Sequence, residues 1–288
     1  MKASMTSAAL SAALFSQAAL AATIGHSHGH MHRRVAAPHP ALKEKRTTAV
    51  NFMSTTDVSY LQSKNILIGA NEACATEATN AVTVGSTGGP FVVEFTNNHD
   101  EDIVLVVWSG KTAGQWGAID ATFIGAQQPD VTHTLQSNTS TWVSFDPAKA
   151  PGGTAVSGGW GAVYPGKGLS AVSGQLDNTI GEYTFSTANS FSTTDVSRLI
   201  QMKGNSMEIE NYLNKADADD DSTNPACAST MDKCAFVCDD KSVLSCMFGA
   251  LVDCVAGAAG NTADASGQDG GCAGMSASGG YMKVSFGS

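Results

Sequence analysis

The chain has 288 residues, with 16 Lys and Arg against 26 Asp and Glu, for a formal net charge of −10. So acidic a chain repels nucleic acid and anionic membrane surfaces, which argues against both as partners. Past the N-terminal run, no segment is apolar enough to cross a membrane.

Lys2 is followed by an alanine-rich apolar run from Ala8 to Leu20, and Ala19-Leu20-Ala21 has the small-x-small pattern that signal peptidase cuts. Residues 1–21 therefore read as a secretion signal cleaved after Ala21. Next, His26, His28, His30 and His32 fall at every second position. In an extended chain their rings project to one side, where neutral imidazoles can chelate zinc, copper or nickel. The dibasic pairs Arg33-Arg34 and Lys45-Arg46 make residues 22–46 a propeptide, with processing after Arg34 or Arg46. Cutting at Arg46 removes Lys2, Arg33, Arg34, Lys43, Lys45 and Arg46 against Glu44, so the net charge moves from −10 to −15 and the histidine tract is lost.

A β-domain is expected over residues 47–215. Val58, Tyr60 and Leu61, then Ile66 to Ile68, form short apolar segments, with Cys74 alone after them. Phe91 to Phe95 alternates, Asn97-Asn98-His99-Asp100 turns, and Ile103 to Trp108 is a continuous apolar run, together a hairpin signal. Thr132 to Leu135 and Thr141 to Phe145 form a second alternating pair. The loop between them carries the sequon Asn138-Thr139-Ser140, so Asn138 is a candidate glycosylation site. Gly158 to Tyr164 adds a Gly-bounded strand. From Ile180 to Ile209 the pattern is strand, turn, strand, turn, strand, with Glu182 and Asp195 near two strand starts, where they can share one surface. Short strands at this spacing, with little helical period between them, predict an antiparallel sandwich.

Residues 216–280 differ in composition. Asp217, Asp219, Asp220 and Asp221 begin like a calcium loop, but Ser222 stands where the sharp-turn Gly belongs and Ala228 where a bidentate Glu would close the site, so the run reads as a solvated linker. Cys227, Cys234, Cys238, Cys246, Cys254 and Cys272 predict a disulfide-stapled subdomain, since they lack Cys-x-x-Cys spacing and have no histidine beside them. There are seven cysteines, which leaves one thiol free or paired between chains, and Cys74 is the candidate. Leu244, Met247, Phe248, Leu251, Val252 and Val255 recur at helical spacing, so Ser242 to Ala256 is predicted as an amphipathic helix. Residues 281–288 return to the sandwich through a strand from Tyr281 to Phe286.

Thr141-Trp142-Val143-Ser144-Phe145-Asp146, then Gly158-Gly159-Trp160-Gly161-Ala162, Gly181-Glu182-Tyr183-Thr184-Phe185, Asp195-Val196-Ser197 and Gly204-Asn205-Ser206-Met207, in that order, resemble the secreted fungal allergen family typified by the fourth-named Aspergillus fumigatus allergen. More distantly the order is similar to thaumatin-like proteins. The resemblance covers roughly residues 90–210 and implies a mainly β fold, a thaumatin-like antiparallel β-sandwich with a smaller disulfide-rich helical subdomain. It also implies an acidic cleft facing carbohydrate or a receptor. Glu182 and Asp195 occupy matching positions. Lys203 replaces the next family Asp, and Val163 and Tyr164 stand where the family's Arg is expected, so half the cleft is missing.

The function expected is non-catalytic binding at the cell wall or a host surface, to a wall polysaccharide first and a host surface protein second. The binding set is Glu182, Asp195, Trp108, Trp116 and Trp160. Trp142 shares the capacity to stack on sugar rings, although tryptophans in sandwiches are more often core. Two rivals remain. A glucan hydrolase would use Glu182 and Asp195 as its two carboxyls, held at roughly 5 or 6.5–9.5 Å; a secreted metal-binding protein would keep the histidine tract. No cofactor is expected, because the glycines lack phosphate-loop context, and without a Gly-x-Ser-x-Gly elbow a Ser-His-Asp triad has little support.

Overall fold

A computed structural model of the chain describes residues 53–69, 81–110, 128–168, 175–188, 192–246, 249–254 and 271–287. The signal and propeptide segments with Ala21, His26, His28, His30, His32, Arg34 and Arg46, as well as Cys74 and Trp116, lie outside the described residues.

The described strands are β1 (Val82–Val84), β2 (Phe91–Asn97), β3 (Ile103–Ser109), β4 (Val131–Leu135), β5 (Ser140–Phe145), β6 (Ala155–Val163), β7 (Ile180–Ser186), β8 (Thr193–Ser197), β9 (Met207–Tyr212), β10 (Cys227–Ser229), β11 (Ala235–Val237), β12 (Ala250–Val252) and β13 (Gly280–Phe286). Sheet one has the order β1-β5-β2-β13-β9-β10 and sheet two the order β12-β11-β8-β7-β6-β3-β4. The chain is therefore mainly β, as expected. Neighbours are antiparallel except for β13 with β2 and β11 with β8, which are parallel.

Two expected hairpins are corners between the sheets instead. β2 lies in sheet one and β3 in sheet two, and β4 and β5 are likewise divided. Asn97 builds the first corner. Its buried side-chain amide donates to the carbonyls of Glu101 (2.9 Å) and Leu135 (3.0 Å), and its Oδ1 accepts from the His99 N–H (2.9 Å). A turn-forming Asn has the same sequence signature whether the chain folds back beside itself or crosses to the facing sheet.

The core is aromatic. Phe91, Phe95, Phe145, Trp160, Tyr183, Phe185 and Phe286 all face inward between the sheets. Trp160 stacks on Tyr183 with ring centroids 5.2 Å apart and meets Phe95 edge-on at 5.3 Å. Gly181 is required beneath it, because a Cβ there would lie 2.0 Å from Trp160 Nε1. β3 is buried along its whole length. Its inward residues enter this core, and its outward Val104 and Val106 are covered by Leu61 and Ile66, in and just after helix α1 (Thr55–Ser63). Ser54 caps that helix by accepting from the Asp57 N–H, and the Asp57 carboxylate accepts from Thr134 Oγ1 on β4 (2.6 Å), which fixes the helix on the sheet.

The Cys-rich segment is woven into both sheets, giving β10 to sheet one and β11 and β12 to sheet two. Its six cysteines pair as Cys227–Cys272, Cys234–Cys254 and Cys238–Cys246. The helix expected over Ser242 to Ala256 is absent among its described residues. Instead, Asp240 accepts from both the N–H and the hydroxyl of Ser242 in a side-chain turn, and β12 pairs with β11, placing Leu251 opposite Phe236. Bonds from Cys234 and Cys238 on either side of β11 to Cys254 and Cys246 hold the return segment beside that strand, which overrides its helical periodicity. The described helix of the region is the short α2 (Lys215–Asp219), within the acidic run read as a linker.

Asn211 on β9 ties the layers together. Buried completely, it donates to the carbonyls of Cys272 (2.8 Å) and Ala273 (3.2 Å) and accepts from Thr194 Oγ1 of β8 (2.9 Å). The Cys272 carbonyl keeps the Thr194 N–H, but Asn211→Leu would strand the Ala273 carbonyl and the Thr194 hydroxyl in the interior, so a loss of about 2–4 kcal/mol is expected in urea unfolding. A loss within about 0.5 kcal/mol, the range of an ordinary surface change, would contradict this role.

Candidate functional site

Alternation along β7 sends Tyr183 and Phe185 into the core and Glu182 to the outer face of sheet two. Asp195 on β8 is directly opposite Glu182. On the other side of Glu182 is Gly159 of β6, and beyond that Trp108 of β3, so Trp108, Gly159, Glu182 and Asp195 form one row across four strands. Gly159 leaves space for the indole, since a Cβ there would lie 2.5 Å from Trp108 Cζ2. The expected acid pair and one expected tryptophan are thus neighbours. Yet Asp195 is only 4% exposed and Trp108 3%, while Glu182 is half-buried.

The pair's electrostatics follow from this burial. Desolvation raises the Asp195 carboxyl well above its ordinary range, and the charge and hydrogen bond of Glu182 push it further. Glu182 is also raised by burial, with relief from Asp195 and from the nearby Ser197 hydroxyl. Two adjacent carboxyls, both raised, favour holding one proton between them. The two side chains rise from directly paired positions on neighbouring strands. As folded, one of the two acids is nearly inaccessible to a ligand, Asp195 being only 4% exposed.

Trp160, expected to bind, is a core residue with 0% exposure. Among the described tryptophans the accessible ring belongs to Trp142, half-buried on the outer face of sheet one. Trp142, Glu94, Lys283 and Glu210 form a row across β5, β2, β13 and β9. Trp142 Nε1 donates to the Tyr281 hydroxyl (3.1 Å), which donates to Glu94 Oε2 (2.7 Å). The Tyr212 hydroxyl donates to Glu210 (3.1 Å), and Thr96 and Ser140 share a hydrogen bond of 2.8 Å beside the row. Burial and the adjacent Glu94 hold Tyr281 above its ordinary pKa, and burial with Glu210 does the same for Tyr212, so both stay neutral donors. The Lys283 ammonium turns aside, donating to the Ala218 carbonyl and lying 5.6 Å from the Tyr212 ring centroid. Lys215 of α2 lies 5.4 Å from the Tyr281 ring centroid and pairs with Asp219. The arrangement is an aromatic platform whose ring angle is fixed by a hydrogen-bonded chain and whose flanks are hydroxyls and carboxylates. Parity placed Trp142 in phase with Ser144, but no signal in the sequence said which sheet face was open.

Asn138 is exposed at the corner between β4 and β5, in the left-handed region with φ 57° that Asn tolerates. The sulfurs of Cys227, Cys234 and Cys272 converge within 4.8 Å of one another, but each belongs to a disulfide, which removes the thiolates a metal needs.

A group whose folded pKa is raised contributes stability below its unfolded value, here about 3.8 for Asp195, and that contribution is lost as pH rises through the folded value. His133 has the opposite sign. Burial lowers it from 6.5 to about 4, so its contribution is lost as pH falls through that window. Comparison with a variant separates the two. Asp195→Asn should gain on the native chain by about 1 kcal/mol or more between pH 4 and pH 8 in urea unfolding. A stability difference that stays constant across that range would contradict the shared proton.

The model of the Allergen Asp f 4-like domain matches residues 79–243, from just before β1 through β11, and so includes Trp142, Glu182 and Asp195. No curated protein matches the chain. With more than half of its length matched, the chain belongs to the Allergen Asp f 4-like family.

Proposed function

We propose that this protein is secreted and acts as a non-catalytic binding protein at a cell wall or host surface, with polysaccharide as its ligand. The observation that carries the reading is the Trp142 platform: an accessible indole, held at a fixed angle through Tyr281 and Glu94, on a strand face that also presents Thr96 and Ser140 hydroxyls. A pyranose has an apolar face that packs on such a ring and a rim of hydroxyls that exchange hydrogen bonds with carboxylates and alcohols. Secretion is supported by the N-terminal apolar run with its Ala21 cleavage pattern and by three disulfides in a small domain. Asn138 is proposed to carry a glycan, its exposed corner lying on the chain's surface. The hydrolase reading has less support, because Asp195 is nearly buried.

Trp142→Ala should reduce retention of the protein on insoluble wall polysaccharide at least about tenfold, the effect of losing one well-packed aromatic contact. Asp195→Asn should leave retention unchanged. Equal retention by Trp142→Ala at an unchanged melting temperature would overturn the reading, as would release of reducing sugar that disappears in Glu182→Gln.

A further inference from the structure

Building on the binding reading above, we infer that the ligand of the Trp142 face is cationic: a polysaccharide of glucosamine units bearing free ammonium groups. The argument is charge complementarity along a built row. Glu94 is adjacent to Trp142 on the next strand, about 4.8 Å away in the hydrogen-bonding direction, and Glu210 lies two strands further on. One strand spacing is close to the length of one pyranose unit. A chain laid across the strands with one ring on Trp142 therefore brings following units over Glu94 and towards Glu210. Glu94 uses Oε2 to accept from Tyr281, and an ionised carboxylate has further acceptor sites on its other oxygen for an ammonium. Lys283, the cation of the row, is committed to the Ala218 carbonyl and the Tyr212 ring. Lys215, at the edge, is paired with Asp219.

Around the row, acids outnumber Lys215 and Lys283. Glu208 flanks Glu210 on β9, and the acids of Asp217–Asp221 lie beyond, on a chain of net charge −10. A neutral glucan makes no use of this field, and an anionic polymer is repelled by it. An ammonium-bearing sugar polymer gains both the stacking and the attraction.

The test is calorimetric titration of the full chain with the hexamers of glucosamine, N-acetylglucosamine and glucose at pH 5.5. The glucosamine hexamer should bind at least about tenfold more tightly than either neutral hexamer, and its advantage should shrink with added salt. Glu94→Gln, which keeps an oxygen for Tyr281 to donate to, should cut that advantage several-fold by weakening the glucosamine hexamer more than either neutral hexamer. Trp142→Ala should weaken all three. Neutral hexamers bound as tightly as the charged one would overturn the ligand class and leave the binding reading standing. Glucosamine binding unchanged in both variants would reduce the attraction to net charge alone and overturn the inference. No binding by any hexamer, together with no retention on wall polysaccharide, would overturn both.

Discussion

β13 runs down the middle of sheet one, parallel to β2 and antiparallel to β9, so the central strand of that sheet comes after every other described strand in sequence. Its inward residues Met282, Val284 and Phe286 complete the core, with Phe286 stacked on Phe95. Sheet one is therefore two halves until the C-terminal residues arrive, and the contacts that join them are among the most distant in sequence. Such topologies close slowly, because loop entropy is lost before long-range contacts return it. The disulfide from Cys227 to Cys272 shortens that search by holding the segment before β13 beside β10. Asn211 then fixes Cys272 and Ala273 against β9. The same strand supplies the outward Tyr281 and Lys283, so the Trp142 platform exists only when the central strand is in place.

The two outer faces show how one alternation yields different chemistry. On sheet two, helix α1 and the segment after it cover Val104, Val106 and Ile180, and the acids of the Trp108 row are desolvated enough to share a proton. On sheet one, α2 covers Tyr281 and Tyr212 at one corner, leaving Trp142, Glu94 and Glu210 half-buried. Asp195 is nearly closed off from solvent, whereas Trp142 keeps an accessible part of its ring. This difference in desolvation directs the functional reading away from the acid pair that the sequence made prominent and towards a tryptophan that it did not.

Much of the strand pattern was readable. The alternation around Glu182 and Asp195 placed β7 and β8, their cross-strand pairing followed, and the Tyr281 to Phe286 strand was visible from its period. The crowding of six cysteines signalled staples. What failed was information that a one-dimensional pattern does not carry. Asn97 reads as a hairpin turn, yet its amide reaches Leu135 across a corner between sheets. Leu251 and Val252 have helical spacing, but the bonds from Cys234 and Cys238 hold that segment as strand beside β11. Trp160 belonged to the expected binding set, whereas Gly181 makes the space that buries its ring. Whether a tryptophan faces solvent depends on which sheet it joins and what packs above it, and both are properties of the tertiary fold.

The most direct measurement is the response of the four tryptophan indole N–H signals in a nitrogen–proton correlation spectrum during titration with a soluble wall oligosaccharide. The account requires the Trp142 signal to shift and saturate with ligand while the Trp160 signal, buried between the sheets, stays in place. Saturable shifts at Trp108 with Trp142 unmoved would contradict it and return the binding site to the Glu182 and Asp195 row.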